Sequence, residues 1–517
     1  MKELVYHRHL LPAVERDPDK TAVIDGSYTA TFAQHLERVK RSAGALRSIG
    51  VGRQERFAVM ALNSHQFLEL YHAAFLGAGV VNPLNLRLAA KELAFILADS
   101  GTKVCFTDAF FAPVIAQVRD EVGLERVVMI GGGDAPHDDD YEDLLAASSP
   151  VMPDEPEEDD PVILMYTGGT TGTPKGVLLD QRAELLNLYH VAMAWRISSD
   201  EVYLHQTPMF HAASMGGMLG VPAQGGTSVF LSLFDPARAL ALCEEHSVTQ
   251  TVMVPTMIGM LLGHPDFAPE RLASLRTLTY GASPMPGALL DQLLTAFPTL
   301  DVFQGYGMTE SSAVLTALGP DEHRIGGARL RSAGRPLPGI VLSIQGPGGE
   351  VVAQGETGEV CARGGNFMTE YWKKPDETAD AFRGGWYHSG DAGYLDPDGY
   401  LFLVDRVKDM IVTGGENVYS VEVENAIASN PAVAQVAVIG IPSEKWGEAV
   451  HAVIVLRPGA TLTETEVTDW VRERIAGYKV PKSVEFRTEP LPLSGAMKVL
   501  KRELRDPYWA GRDRAVN

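Results

Sequence analysis

The stretch "VILMYTGGTTGTPKGVLLD", Val162 to Asp180, constrains the fold more than any other part of this chain. It runs an apolar segment into a loop of glycine, threonine and one lysine, and then straight into a second apolar segment. A Walker-type phosphate loop needs a strand, then G-x-x-x-x-G-K-[ST], then a helix. Here Gly172 is followed by Thr173-Pro174-Lys175-Gly176, so no Gly-Lys pair precedes a Ser or Thr. Gly176-Val177-Leu178-Leu179 reads as a second short strand and not as a first helical turn. The loop therefore joins two strands. Its chemistry has to come from backbone N–H groups, the hydroxyls of Thr167, Thr170, Thr171 and Thr173, and the Lys175 ammonium. Glycine permits the close approach and positive φ that such an anion cradle requires.

At 517 residues the chain exceeds one ordinary core, and about three or four domain-sized units are expected. Up to residue 404 strands alternate with helices, as in a layered α/β domain. "RFAVMALN" (56–63) and "TKVCFTD" (102–108) read as strands, and "AAKELAFILADSG" (89–101) as a helix closed by glycine. An acidic run, "PDEPEEDDP" (153–161), reads as an exposed linker. After "YLFLVDRVKD" the texture changes to a compact α+β unit. "SVEVENAIAS" and "TETEVTDWVRERI" read as helices, the second opening with Thr463 and Glu466 at capping-box spacing. "VAQVAVIGIP", "HAVIVL" and "KSVEFR" read as strands. The boundary falls near Asp405–Lys408, which divides the chain into 1–404, a 405–408 connection and 409–517.

Composition narrows the partners. Lys plus Arg is 44 and Asp plus Glu is 66, a net charge of −22, which argues against nucleic acid and anionic membrane as bulk partners. Cys105, Cys243 and Cys361 lie far apart with no C-x-x-C spacing, so neither a disulfide framework nor a zinc site is expected. The N-terminal "MKELVYHRHLLPAVERDPDK" lacks the apolar core of a signal peptide, and no 18-residue apolar run occurs. A cytoplasmic protein without a transmembrane segment is the expectation.

Three further stretches carry chemistry. "DVFQGYGMTESS" (301–312) places Tyr306 between two glycines, where an aromatic ring can lie against a planar base. Glu310 beside Thr309 can hold a magnesium ion next to phosphate oxygens. In "GWYHSGDAGYLDPDGYLFLVDRVKDMI", Asp391 follows a turn and suits a vicinal diol such as a ribose. "LPLSGAMKVLKREL" places Lys498 in a Ser/Gly loop.

Together, in this order, these motifs resemble the adenylate-forming superfamily, and within it the acyl-CoA synthetases and fatty-acid–CoA ligases. "YTGGTTGTPKG" is similar to the family's phosphate loop, "YGASPMP" (280–286) to its adenine segment, "GYGMTE" to its nucleotide and magnesium motif and "YHSGD" to its ribose motif. "DRVKDMIVTGGENVYSVEVE" looks like its hinge and the start of its C-terminal domain. The resemblance covers nearly the whole chain. It implies a large layered α/β adenylation domain with a small, mobile α+β C-terminal domain, using ATP, Mg²⁺ and coenzyme A.

The same resemblance implies roles. Thr167, Gly168, Gly169, Thr170, Thr171 and Lys175 would hold the outer phosphates, with Thr170 and Glu310 on the magnesium. Gly281, Ala282, Ser283 and Tyr306 would frame the adenine, and Thr309 would contact the α-phosphate. Asp391 would bind the ribose with Arg406 nearby, and Lys408 would be the hinge. Lys498 would be the mobile catalytic lysine and His211 would sit beside the acyl site. Gly414 and Gly415 would border the pantetheine channel. Two positions depart from the family: Gly168 stands where serine is usual, and Met497 where glycine precedes the lysine.

The implied reaction joins a carboxylic acid to AMP and then passes the acyl group to CoA, since no carrier domain with an attachment serine follows Asn517. Met215, Met218 and Leu219 around Gly216 and Gly217 suggest an apolar lining with room for an aliphatic chain. A medium- or long-chain fatty acid is therefore the first expectation and an aryl acid of the cinnamate or benzoate type the second. The rivals are a luciferase-like oxidoreductase, a non-catalytic acyl-adenylate-binding protein and transfer to a separate carrier protein. The oligomeric state is left open, a homodimer included.

Overall fold

In the computed structural model, strand β1 (Pro161–Thr167) lies antiparallel to β2 (Lys175–Asp180), with Ile163 opposite Leu179 and Thr167 opposite Lys175. The glycine–threonine loop does join two strands. The structure describes residues 3–167, 174–406, 409–414, 416–495 and 497–510, without the side chains of Arg406 and Asn417. Gly168, Gly169, Thr170, Thr171, Lys408 and Gly415 thus lie outside the described residues. Helix α1 (Gln181–Ala194) starts directly after β2, because the Asp180 carboxylate caps it by accepting from the Ala183 N–H at 2.7 Å.

Among the described residues the strands form four sheets. An eight-stranded sheet holds β1 and β2 beside the parallel strands Arg56–Met60 and Val104–Asp108, both of which are expected from the sequence. The expected helix runs Ala90–Ser100 and ends on Gly101 at φ 65°. A nine-stranded sheet contains the parallel neighbours β3 (Thr277–Gly281) and β4 (Asp301–Tyr306). Strands such as Val80–Pro83 and Gln250–Met253 are buried at every residue, as parallel strands covered by helices on both faces must be.

A third, antiparallel sheet carries β5 (Gly358–Arg363), β6 (Tyr387–Leu395) and β7 (Leu401–Arg406). Its last residue, Arg406, and Ile411 of the next strand belong to different sheets. The C-terminal sheet pairs Val433–Ser443 with Gly447–Leu456 and adds Ser483–Arg487 in parallel. Helices Ser420–Ala428 and Glu464–Arg472 pack on it through Val423, Ile427, Val467 and Val471, which share one core with Val438 and Ile454. The capping box is formed: Glu466 accepts from the Thr463 N–H at 2.8 Å, and Thr463 Oγ1 accepts from the Glu466 N–H at 3.3 Å. The chain is a large N-terminal α/β domain followed by a smaller α+β domain. No described helix is long and apolar enough to cross a membrane.

Candidate active site

β3 and β4 place their C-terminal ends side by side, with Gly281 opposite Gly305. A Cβ at Gly281 would lie 2.3 Å from the Gly305 carbonyl oxygen, so only glycine fits there. The next residue, Ala282, takes φ 65°, which turns the chain out of the sheet ahead of Ser283. Ligands of open α/β sheets bind at such carboxyl ends. One residue beyond Gly305, the Tyr306 hydroxyl donates to Asp391 Oδ2 at 2.7 Å. The base-stacking and ribose candidates, on different sheets, are therefore joined by a hydrogen bond.

The Asp391 turn is braced from below. Ser389 Oγ donates to the Val360 carbonyl at 2.6 Å and accepts from the Asp391 N–H at 3.1 Å. Glu359 on β5 accepts from the Gly390 N–H at 3.1 Å and lies 2.8 Å from His388 Nδ1. Opposite Asp391 in the ladder is the Arg406 backbone. Glu359 has no place in the sequence reading, and His388 enters it only within "YHSGD", because their spacing across two strands carries no signal along the chain.

On the phosphate side, Lys175 and Glu310 converge on one phenol. The Tyr371 hydroxyl donates to Glu310 Oε1 at 2.9 Å, while the Lys175 ammonium stands 4.9 Å from the Tyr371 ring centre and 2.5 Å from Glu377 Oε2. Bonds to Lys175 and then Lys374 hold the Glu377 carboxyl below its ordinary range. Thr309 and Glu310 sit on a short 3₁₀ turn, Thr309–Ser311, and Thr167 ends β1 directly opposite Lys175. Carboxylate and hydroxyl oxygens from Glu310, Thr309 and Thr167 are the donor set a magnesium ion takes, so these residues fit that ion. Tyr371 and Glu377 are missed by the sequence reading; Lys374-Pro375, a helix start, is the only cue near them.

Lys498 lies in a tight turn closed by the bridge between Leu493 and Val499. The Ser494 N–H donates to the Lys498 carbonyl at 2.7 Å, and Ser494 Oγ accepts from the Lys498 N–H at 3.1 Å. Met497 occupies the left-handed region at φ 61°, a conformation that costs a side-chain-bearing residue roughly 1–2 kcal/mol. The glycine usual in the family would be free of that strain. The turn docks on the large domain: Thr256 Oγ1 donates to the Met497 carbonyl at 3.1 Å, and Arg87 reaches the Leu493 carbonyl. A Cβ at Gly495 would meet Asn85 Oδ1 at 2.1 Å and Phe210 Cζ at 2.9 Å.

His211 follows Phe210. Its Nδ1 accepts from the Ala213 N–H at 3.1 Å, which leaves the proton on Nε2. Burial first, and the Lys498 charge second, push its pKa down to about 3. The imidazole is neutral at physiological pH and feels the lysine. Beyond it, Met215, Met218 and Leu219 are fully buried. The two glycines are closely packed: a Cβ at Gly216 would lie 2.7 Å from Val191 and 3.0 Å from Trp195, and one at Gly217 2.6 Å from Tyr203. Gly414, at φ 61°, turns against Trp446, whose carbonyl accepts its N–H at 2.8 Å.

Residues 11–372 match the family described as AMP-binding enzyme, and 422–498 match the AMP-binding enzyme C-terminal domain. A feruloyl-CoA synthase of an Amycolatopsis species is 40% identical over 94% of this chain and 96% of its own. The long-chain-fatty-acid–CoA ligase FadD13 of Mycobacterium tuberculosis is 36% identical over 93% of each. ATP-bound MatB from Rhodopseudomonas palustris superimposes with a TM-score of 0.89 at 29% identity, covering 98% of this chain and 99% of that one.

Proposed function

Because the chain belongs to the AMP-binding enzyme family and is an acid–thiol ligase that uses ATP, Mg²⁺ and coenzyme A, we propose that it activates an aryl-substituted carboxylic acid through an acyl-adenylate. The observation that supports this best is the Tyr306–Asp391 hydrogen bond, which links the nucleotide and ribose motifs; the contacts of Tyr371 with Glu310 and Lys175, and the Lys498 charge felt at His211, support it further.

A carboxylate is a poor acyl donor, and coupling to AMP gives it a good leaving group. In the first half-reaction the carboxylate attacks the α-phosphorus in line and pyrophosphate leaves. Both partners are anionic, so the site must neutralise charge and fix geometry. Tyr306, Gly281, Ala282 and Ser283 frame the base, and Asp391, with Arg406, holds the ribose. Thr167, Lys175 and the loop residues Gly168, Gly169, Thr170 and Thr171 take the outer phosphates. Glu310 and Thr170 would hold Mg²⁺, which would screen the phosphate charge. Thr309 contacts the α-phosphate, and Lys498 brings its ammonium to the same oxygens. His211, neutral with Nε2–H, borders the acyl group. In the second half-reaction the CoA thiol attacks the acyl carbon and AMP leaves. Lys408 is the pivot that withdraws Lys498 and brings Gly414 and Gly415 to the thiol's path. The domain division at 405–408 and a cytoplasmic location belong to this reading.

An aryl acid takes precedence over a long alkyl chain because the rings of Trp195 and Tyr203 stand against Gly216 and Gly217, in the segment after His211. The likeness to the feruloyl-CoA synthase points the same way. A fatty acid is the second reading, supported by the FadD13 likeness and the apolar Met215, Met218 and Leu219. Pyrophosphate release from ATP and Mg²⁺ is the test, measured over acetate, octanoate, palmitate, benzoate, cinnamate and ferulate, with and without CoA. CoA-dependent turnover led by the aryl acids supports the proposal. Turnover led by palmitate shifts it to the second reading, and oxygen consumption in place of acyl-CoA formation would point to the luciferase-like rival.

A further inference from the structure

Trp195 follows the last residue of α1 and is 4% exposed, yet its indole Nε1–H is buried with no hydrogen-bond partner among the described residues. The residue itself is firmly placed. Its N–H donates to the Val191 carbonyl at 2.9 Å, and its own carbonyl accepts from Gln250 Nε2 at 3.2 Å. Gln250 opens its strand and stands level with Asp301, at the start of β4. The ring reaches from there toward the other end of the sheet. Its Cζ3 would touch a Cβ at Gly216 at 3.0 Å, and its Cζ2 would stand 3.5 Å from a Cβ at Gly305. Gly305 immediately precedes Tyr306, whose hydroxyl holds Asp391.

The ring therefore lies between the nucleotide strand and the segment that follows His211. Cζ2 and Nε1 are bonded to the same ring carbon, so the edge turned toward Gly305 is the one that carries the N–H. The other atom within 4 Å of a Cβ at Gly305 is Val314 Cγ1, at 3.9 Å. Neither valine nor glycine side chains can accept a hydrogen bond. A buried donor without a partner is the exception in folded proteins.

We propose that Trp195 is the floor of the acyl site and a specificity-determining residue, its N–H donating to an oxygen substituent on the far end of an aryl acid. This rests on the ligase reading above and adds to it the chemistry of the ring substituent: hydroxyl or methoxyl, either of which offers an acceptor. A site built around a buried donor discriminates against the analogue lacking the acceptor far more than it does over one methylene.

The experiment compares kcat/KM for cinnamate, its 3- and 4-hydroxy and methoxy derivatives, and octanoate, in the wild type and in Trp195→Phe. Phenylalanine keeps an aromatic floor and removes the donor. The wild type is expected to favour at least one oxygenated cinnamate over cinnamate by about tenfold or more, and Trp195→Phe to bring that ratio near unity while octanoate, which offers no acceptor, changes by a smaller factor than the oxygenated acid. A wild type indifferent to oxygen, or a preference that survives in Trp195→Phe, overturns the proposal and leaves the ligase reading standing. No CoA-dependent AMP release with any acid overturns both. Gly305→Ala gives an independent check, since its methyl makes only ordinary contacts at 3.5 and 3.9 Å. It should lower turnover of every aryl acid by a larger factor than that of acetate; aryl turnover equal to wild type would also overturn the proposal.

Discussion

Lys498 carries its charge beside His211, and loss of that charge is predicted to fall on one half-reaction. Lys498→Ala should slow acyl-adenylate formation by about 100-fold or more, the scale of losing one preorganised charge-stabilising group. Thioester formation from pre-made acyl-AMP and CoA should change much less, which single-turnover assays of each step will read. Equal losses in both steps would remove the role given to this lysine. His211 answers to pH in a complementary way. Burial and the lysine hold its pKa at about 3, so the wild-type rate profile should carry no limb near the ordinary histidine value of about 6.5. A limb there that disappears in His211→Asn would show that the ring titrates. At this scale the sequence is legible where chemistry sits in a motif: Tyr306, Glu310, Asp391 and Lys498 can each be picked out from their neighbours along the chain. Tyr371 is not legible, because it meets Glu310 across 61 residues and does so only once β2 and the segment after β5 are folded together.

At the scale of the element, α1 and the paired glycine strands make the strongest commitments. Glu184 on α1 is fully buried, and neither carboxyl oxygen has a hydrogen-bond partner of good geometry among the described residues. Burial first, and the Asp180 charge second, raise its pKa from 4.5 to about 8. The folded state thus holds a proton that the unfolded chain releases, so this group's contribution to stability is complete below the unfolded value and is lost as pH rises through the folded one. Glu184→Gln should therefore gain in melting temperature over the wild type as pH rises from 4.5 to about 8, and the gain should level off above that. A gap that stays constant across the range would contradict a neutral carboxyl. In the nine-stranded sheet, Gly281→Ala drives a methyl to 2.3 Å from a backbone oxygen and should cost about 1–3 kcal/mol, as overpacking does. Denaturant unfolding will measure it, and a loss below about 0.5 kcal/mol would mean that β3 and β4 part without difficulty. The hairpin β1–β2 and the C-terminal capping box can be read from local composition, since both depend on neighbours in sequence. The close packing against Gly216 and Gly217 cannot, because Val191, Trp195 and Tyr203 reach them from other elements.

For the whole molecule, two half-reactions served by one small domain require a pivot, and the proposed place for it is the change of sheet between Arg406 and Ile411. Asp405 is already tied to the C-terminal domain, where it accepts from the Ser420 N–H at 2.5 Å and from Ser420 Oγ at 2.7 Å. Lys408→Pro fixes one backbone angle and should leave adenylation intact while halting thioester formation. Survival of both half-reactions would place the hinge elsewhere. The order of motifs along the chain is enough to read the family and the two-domain plan. The acid is not readable that way, because it is selected by surfaces that only folding brings together. The reaction itself can be traced atom by atom. With carboxyl-oxygen-18 ferulate, ATP, Mg²⁺ and CoA, adenylation predicts one heavy oxygen in the released AMP and none in pyrophosphate, because the carboxylate oxygen that attacks the α-phosphorus stays with it. Heavy oxygen in pyrophosphate, or acyl-CoA formed with unlabelled AMP, would contradict an acyl-adenylate on the path.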